Sequence, residues 1–182
     1  IGETRIEALF DKGADKGAIA LVTREIHDGH GTHLATIRAT TFLRGDGGFG
    51  GSSAGAPAPH PLPTDRPADS AITLPTAGNL AHIYRLSGDL NPLHIDPAVA
   101  TAAGFSGPIL HGLATYGIVG RALLLARCAN DPARLRRMDC RFSSPVYPGE
   151  TITTEMWDEA KEGGRSRLAF RARVVERDLI VL

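Results

Sequence analysis

From Gly112 to Arg127 the chain carries apolar residues on most faces of one long helix, namely Leu113, Tyr116, Ile118, Val119, Ala122, Leu123 and Ala126. A helix without a continuous polar face has to be enclosed by the rest of the fold. Strand patterns follow it at 136–143, 151–157 and 166–175, and alternation is clear in Leu168-Ala169-Phe170-Arg171-Ala172-Arg173-Val174. One buried helix among several antiparallel strands predicts an α+β domain in which a sheet wraps around a helix. Ahead of the long helix, Thr76 is expected to cap a short helix through Leu80, Ala81, Ile83 and Tyr84 that stops near Gly88. Asp96-Pro97 reads as an N-cap followed by Pro at the first position of a further helical turn, which ends at Gly104.

The amino-terminal third reads differently. Ala18–Thr23 and Leu34–Leu43 are rich in β-branched residues and are separated by Asp28-Gly29-His30-Gly31, which predicts a hairpin. Residues 45–70 are dominated by Gly, Ser, Ala and Pro and read as a linker. The chain starts at Ile1 without Met and ends on Leu179-Ile180-Val181-Leu182, a strand-like run, so further sequence is expected at both ends.

Composition narrows the function classes. Hydrophobic residues make up 42% of 182, enough for a packed core. Lys plus Arg equal Asp plus Glu at 20 each, so no global field draws nucleic acid or anionic lipid, and a polyanionic substrate has to find local cations. Cys128 and Cys140 give no disulfide framework and fit a reducing compartment. No apolar run approaches the ~20 residues that cross a bilayer, and no signal peptide opens the chain. A soluble intracellular protein is expected.

The densest chemistry lies in Tyr84-Arg85-Leu86-Ser87-Gly88-Asp89-Leu90-Asn91-Pro92-Leu93-His94-Ile95-Asp96-Pro97. Gly88 supplies backbone freedom and Pro92 removes it, which suits a loop whose side-chain directions matter. Asp89 and His94 can meet if the chain folds back at Asn91-Pro92. A water between a carboxylate and a neutral imidazole can be deprotonated near neutral pH. Against this stands a plainer reading, since Ser87, Asp89 and Asn91 are also common turn and cap formers; for Asp96 that plainer reading is adopted. A second constellation, Gly107-Pro108-Ile109-Leu110-His111-Gly112-Leu113, leads into the long helix, whose first turn offers unpaired N–H groups at the positive end of its dipole. Gly112 can serve as an anion donor there, or only permit tight packing, or both.

These two strings resemble the signature of the MaoC-like (R)-specific enoyl-CoA hydratases, the hydratase 2 family. The resemblance implies a hot-dog fold, in residues 72–177 the catalytic half of such a protein, and in residues 12–51 the last strands of a non-catalytic amino-terminal half. It therefore implies a double hot dog whose amino-terminal half is incomplete, because that half's own central helix is not visible. The expected boundaries are 1–51 for the partial amino-terminal hot dog, 52–70 for the linker and 71–182 for the catalytic hot dog. The resemblance further implies Asp89 and His94 as the acid–base pair, Asn91 as the amide that positions water or the pair, and the Gly112 amide as donor to the thioester oxygen. Tyr84, Ser87, Phe105 and His111 are expected to line the substrate. The implied activity is reversible hydration of a trans-2-enoyl-CoA to the (3R)-hydroxyacyl-CoA in fatty acyl metabolism, with acyl carrier protein as the alternative carrier. No metal or cofactor is expected, and no nucleic acid or membrane partner. A homodimer or a double hot-dog pairing is expected in the cytoplasm, or in the peroxisome of a eukaryote. An acyl-CoA thioesterase and a non-catalytic acyl-thioester-binding module are the alternatives, since fold alone separates none of these.

Other features are weaker. Gly45–Gly51 looks like a phosphate loop, but no helix and no Lys-Ser/Thr pair follows. His27, His30 and His33 cluster in a hairpin turn without a fourth metal ligand. Ser87 lacks a Gly-x-Ser-x-Gly elbow. Arg134, Arg136 and Arg137 form a solvated face or reach coenzyme A phosphates.

Overall fold

The computed structural model describes residues 1–63 and 65–182, Glu162 by its backbone alone. It divides into two compact units, Ile1–Ala58 and Pro59–Leu182.

The first unit is an antiparallel sheet in the order β1 (Gly2–Asp11), β2 (Ala18–His27), β3 (His33–Leu43). The β2–β3 hairpin matches the sequence reading, and its turn is held by the Asp28 carboxylate, which accepts from the His30 and Thr32 amides at 2.8 and 2.9 Å. Strand β1 was not expected. Its first six residues are all exposed and carry Glu3, Arg5 and Glu7 around a single Ile6, so it lacks the apolar alternation that marks a strand. Its place comes from pairing with β2, Ile6 opposite Val22 and Phe10 opposite Ile19.

The glycine-rich run after β3 is not loose. Asp11 is buried, and its carboxylate accepts from Gly13 at 2.8 Å and from Gly48 and Gly50 at 2.7 Å each. Glycine is required at Gly47, where a Cβ would lie 2.1 Å from the Gly13 carbonyl oxygen. The Gly48 and Gly13 amides hold the Asp11 carboxyl below its usual range. A depressed native value means stabilisation that is present above the unfolded-state value, about 4, and lost as pH falls through the native one. Asp11→Asn is therefore expected to remove this acid sensitivity and to speed hydrogen exchange of the Gly48 and Gly50 amides about tenfold at neutral pH. Unchanged exchange would show that the carboxylate does not hold the run.

In the second unit the sheet order is β4 (Ser70–Pro75), β5 (Thr151–Glu162), β6 (Arg165–Val174), β7 (Leu179–Ile180), antiparallel throughout. Between β4 and β5 come α1 (Leu80–Arg85), α2 (Pro97–Ala102) and α3 (Gly112–Arg127), and α3 packs on β4 and β5. This is the hot-dog arrangement. Strand β5 points Ile152, Thr154 and Met156 inward, and Val119 and Leu123 of α3 are buried with them. Burying each of those helix side chains contributes roughly 1.5–3 kcal/mol. Among the described residues no helix is long and apolar enough to cross a membrane.

Three local expectations are corrected. Residues 136–143 form no strand; the segment follows α3, with the Tyr116 hydroxyl donating to the Met138 carbonyl at 2.8 Å, so its apolar residues are used without a ladder. Thr76 does not cap α1, whose N-cap is Asn79; its hydroxyl accepts from the Gly149 amide at 2.8 Å and ties the end of β4 to the approach to β5. Helix α3 is buried along one stripe rather than on most faces, and Leu113 remains 62% exposed. The Asp96 cap is as expected, with the carboxylate accepting from Ala98 at 2.8 Å.

Candidate active site

Helix α1 delivers the loop. After Arg85 the backbone reverses at Gly88, whose φ of 106° is in the left-handed region that glycine tolerates. The Arg85 guanidinium donates to the Leu90 carbonyl at 2.7 Å and braces the return. The Asp89 carboxylate accepts from the Asn91 amide at 3.3 Å, and the Asn91 side-chain oxygen accepts from the Leu93 amide at 3.0 Å, capping the single 3₁₀ turn Pro92–His94. Short polar side chains that bond their own backbone thus fold Asp89 and His94 towards each other.

His94 is 8% exposed, and its Nδ1 lies 2.8 Å from the Ile109 carbonyl. A carbonyl can only accept, so Nδ1 carries the proton and, in the neutral ring, Nε2 keeps its lone pair. The His111 ring stacks on His94 at 3.7 Å and 26°, and Tyr84 follows at 4.8 Å. Burial, and then the charge of His94, push His111 below its ordinary value. Single polar atoms of Asp89, His94 and His111 all lie within 4.8 Å of one another. That trio is the metal-like grouping found among the described residues. Imidazole lone pairs lie in the ring plane, however, and two stacked rings do not aim at one ion as placed. His27, His30 and His33 form no such group; His33 instead lies 2.8 Å from Glu25.

A cavity of about 300 Å³ opens beside the pair, lined among others by His94, Phe105, Leu110, Gly112, Thr115 and Phe142. Gly112 is the first residue of α3, where the N–H has no intrahelical acceptor. Of the expected residues, His94, Phe105 and Gly112 line this cavity, and Asp89 adjoins His94. Asn91 spends its oxygen on the cap. Tyr84 and His111 pack behind His94 rather than on the cavity, because both are held in the ring stack. Ser87 is exposed in the turn after α1, its amide bonded to the Tyr84 carbonyl, and does not reach the cavity. Three contributors were not anticipated. The Ile109 carbonyl leaves no trace in a side-chain pattern. Thr115 could have been found, being three residues from Gly112 on the same helix face. Phe142 lay within the supposed strand. Arg137 pairs with Asp139 at 2.7 Å, on the exposed surface.

A sheet packed on one long helix, with a carboxylate and a tautomer-fixed imidazole grouped near the start of that helix, defines a hot-dog protein with titratable groups beside its cavity. The MaoC-like domain model matches residues 61–178, and the chain belongs to that family. It is 46% identical over 161 residues to a probable enoyl-CoA hydratase 2 of Dictyostelium discoideum, covering 86% of this chain and 53% of the relative. It is 44% identical over 177 residues to 3-hydroxyacyl-thioester dehydratase Y of Mycobacterium tuberculosis, covering 96% and 59%. The crystal structure of a MaoC-like dehydratase from Phytophthora capsici superposes with a TM-score of 0.88 at 39% identity, covering 99% of this chain and 61% of that one. The chain spans about half the length of the curated relatives it matches.

Proposed function

We propose that the chain carries the catalytic hot dog of a hydro-lyase that reversibly hydrates trans-2-enoyl-CoA to (3R)-hydroxyacyl-CoA in fatty acyl metabolism. The observation that carries this reading is the His94 imidazole, pinned through Nδ1 to the Ile109 carbonyl so that Nε2 keeps its lone pair, with one ring nitrogen within 4.8 Å of an Asp89 carboxylate oxygen and the side chain lining the cavity. Asp89 and His94 bind one water and take its proton as oxygen adds to the β-carbon. The double-bond electrons move towards the thioester oxygen, where the Gly112 N–H accommodates enolate charge, and the pair returns a proton at the α-carbon. A close Asp–His pair titrates as a unit, so the protons belong to the pair. The thioester carbonyl itself makes the β-carbon electrophilic, and the reaction calls for no metal or redox cofactor. Asn91 acts through the loop: its cap fixes the turn that presents His94. Phe105 contributes apolar lining for the acyl chain.

Association through a further hot-dog layer, from a second copy or from another part of the protein, belongs to the same reading. Strand β3 is exposed along nearly its whole length and on both faces, with Leu34 and Phe42 on one face and Ile37 on the other, apolar surface suited to being covered. Sedimentation of an active species with a single hot dog and no partner layer would reject it. The cytoplasm, or the peroxisome in a eukaryote, is the proposed compartment.

Incubation with crotonyl-CoA and with a longer enoyl-CoA tests the reaction. Loss of enoyl absorbance without release of free thiol is expected. Thiol release from an acyl-CoA would make the protein a thioesterase, and tight acyl-CoA binding without either change would make it a binding module.

A further inference from the structure

His111 is 1% exposed, yet it does not line the cavity, and its side chain gives α3 no cap. Its Nδ1 is buried without a hydrogen-bond partner among the described residues. Leaving a buried polar atom unpaired is costly, and an apolar side chain would fill the same space without that cost. What the ring does make is a stack on His94 at 3.7 Å and a tilted contact with Tyr84, at 4.8 Å and 43°. Its Nε2 also donates to the Asp89 backbone carbonyl, at a long 3.3 Å.

We infer that His111 is a positioning residue, whose ring fixes the plane of the His94 imidazole so that Nε2 points to the water shared with Asp89. The inference rests on the hydratase reading for its effect on turnover. The bond from His94 Nδ1 to the Ile109 carbonyl fixes one distance, which leaves a combined change of the two side-chain torsions open to tilt the ring. Nε2 lies at the far end and moves most with such a tilt. A flat neighbour across one face removes the tilt, and Tyr84 stands behind that neighbour. Burial and the charges of His94 and Arg85 act against protonation of this flat neighbour, with the Asp89 bond and charge acting the other way, and the balance pushes His111 below its ordinary value. His111 is also the residue just before α3, where its backbone carbonyl accepts from the Ala114 and Thr115 amides, so the ring stacked on His94 stands next to Gly112 in the chain.

Two substitutions in the intact protein separate the ring from its weak bond. His111→Phe keeps a flat face and loses the donor; His111→Gln keeps a donor and loses the face. The ring reading expects kcat to fall no more than about threefold in the Phe variant and roughly 10²-fold in the Gln variant, with KM nearly constant in both, because a misdirected base affects turnover rather than binding. Side-chain relaxation of the His94 imidazole, labelled with nitrogen-15 and carbon-13, provides a readout without substrate: the Nδ1–H tautomer set by the Ile109 carbonyl is expected to persist in both variants, while the ring is expected to stay as ordered in His111→Phe as in the parent and to become more mobile in His111→Gln. The opposite order of the two variants, equal losses, or unaltered His94 ring mobility in a folded Gln variant would overturn the inference. If the Gln variant does not fold, the Phe variant decides, and a more mobile His94 ring there overturns it. An inactive wild type defeats the hydratase reading alone, since the ring mobility still decides the positioning role.

Discussion

Asp89→Asn and His94→Ala are each expected to lower turnover of an enoyl thioester by at least about 10²-fold, and the double variant to be little worse than either. In the proposed mechanism the two groups act on one water, so removing either leaves the other without its task. Asn keeps the shape of Asp89 and its oxygen can still accept from the Asn91 amide, so the loop is expected to keep its form while the negative charge is lost. His94→Ala opens a space against the buried His111 ring, and its melting temperature has to be compared with that of the parent before its kinetics are read. Losses that add in log rate, or a fully active single variant, would assign the chemistry elsewhere.

The second large effect is expected at Gly112. Its φ is not in the left-handed region, and the nearest group to a Cβ built there is the Phe142 ring, at 3.4 Å, so alanine is tolerated and keeps the N–H. Proline removes it. Proline is at home at the first position of a helix, and the preceding residue, His111, has φ −55° and ψ 135°, which a following proline accepts. Gly112→Pro is thus expected to preserve the fold and to lower kcat about 10²–10³-fold, the usual cost of losing one oxyanion donor, with a much smaller change in KM. Gly112→Ala serves as the control for crowding of Phe142. Equal turnover in a folded Gly112→Pro protein would leave Gly112 as a packing residue.

The sequence alone determined the parts of this protein that local chemistry dictates. The ends of α3 at Gly112 and Arg127, the Asp96 cap, the 28–32 turn and the approach of Asp89 to His94 all follow from side chains bonding their own backbone, or from apolar spacing along one element. Gly88, Asn91 and Pro92 make the loop that carries Asp89 and His94 legible because each restricts or frees the chain where it stands. Tertiary structure decided whatever depends on partners distant in the chain. Strand β1 exists because β2 offers it a ladder, and the glycine-rich run is ordered because Asp11 collects its amides from 37 and 39 residues away. Residues 136–143 look like a strand and lie along α3 instead, since a strand needs a free neighbouring edge and periodicity cannot say whether one is there. The same holds at the site. Which nitrogen of His94 is free was set by a backbone carbonyl 15 residues on, and its plane by the ring of His111, 17 positions along the chain; contacts of that kind leave no period or spacing to read.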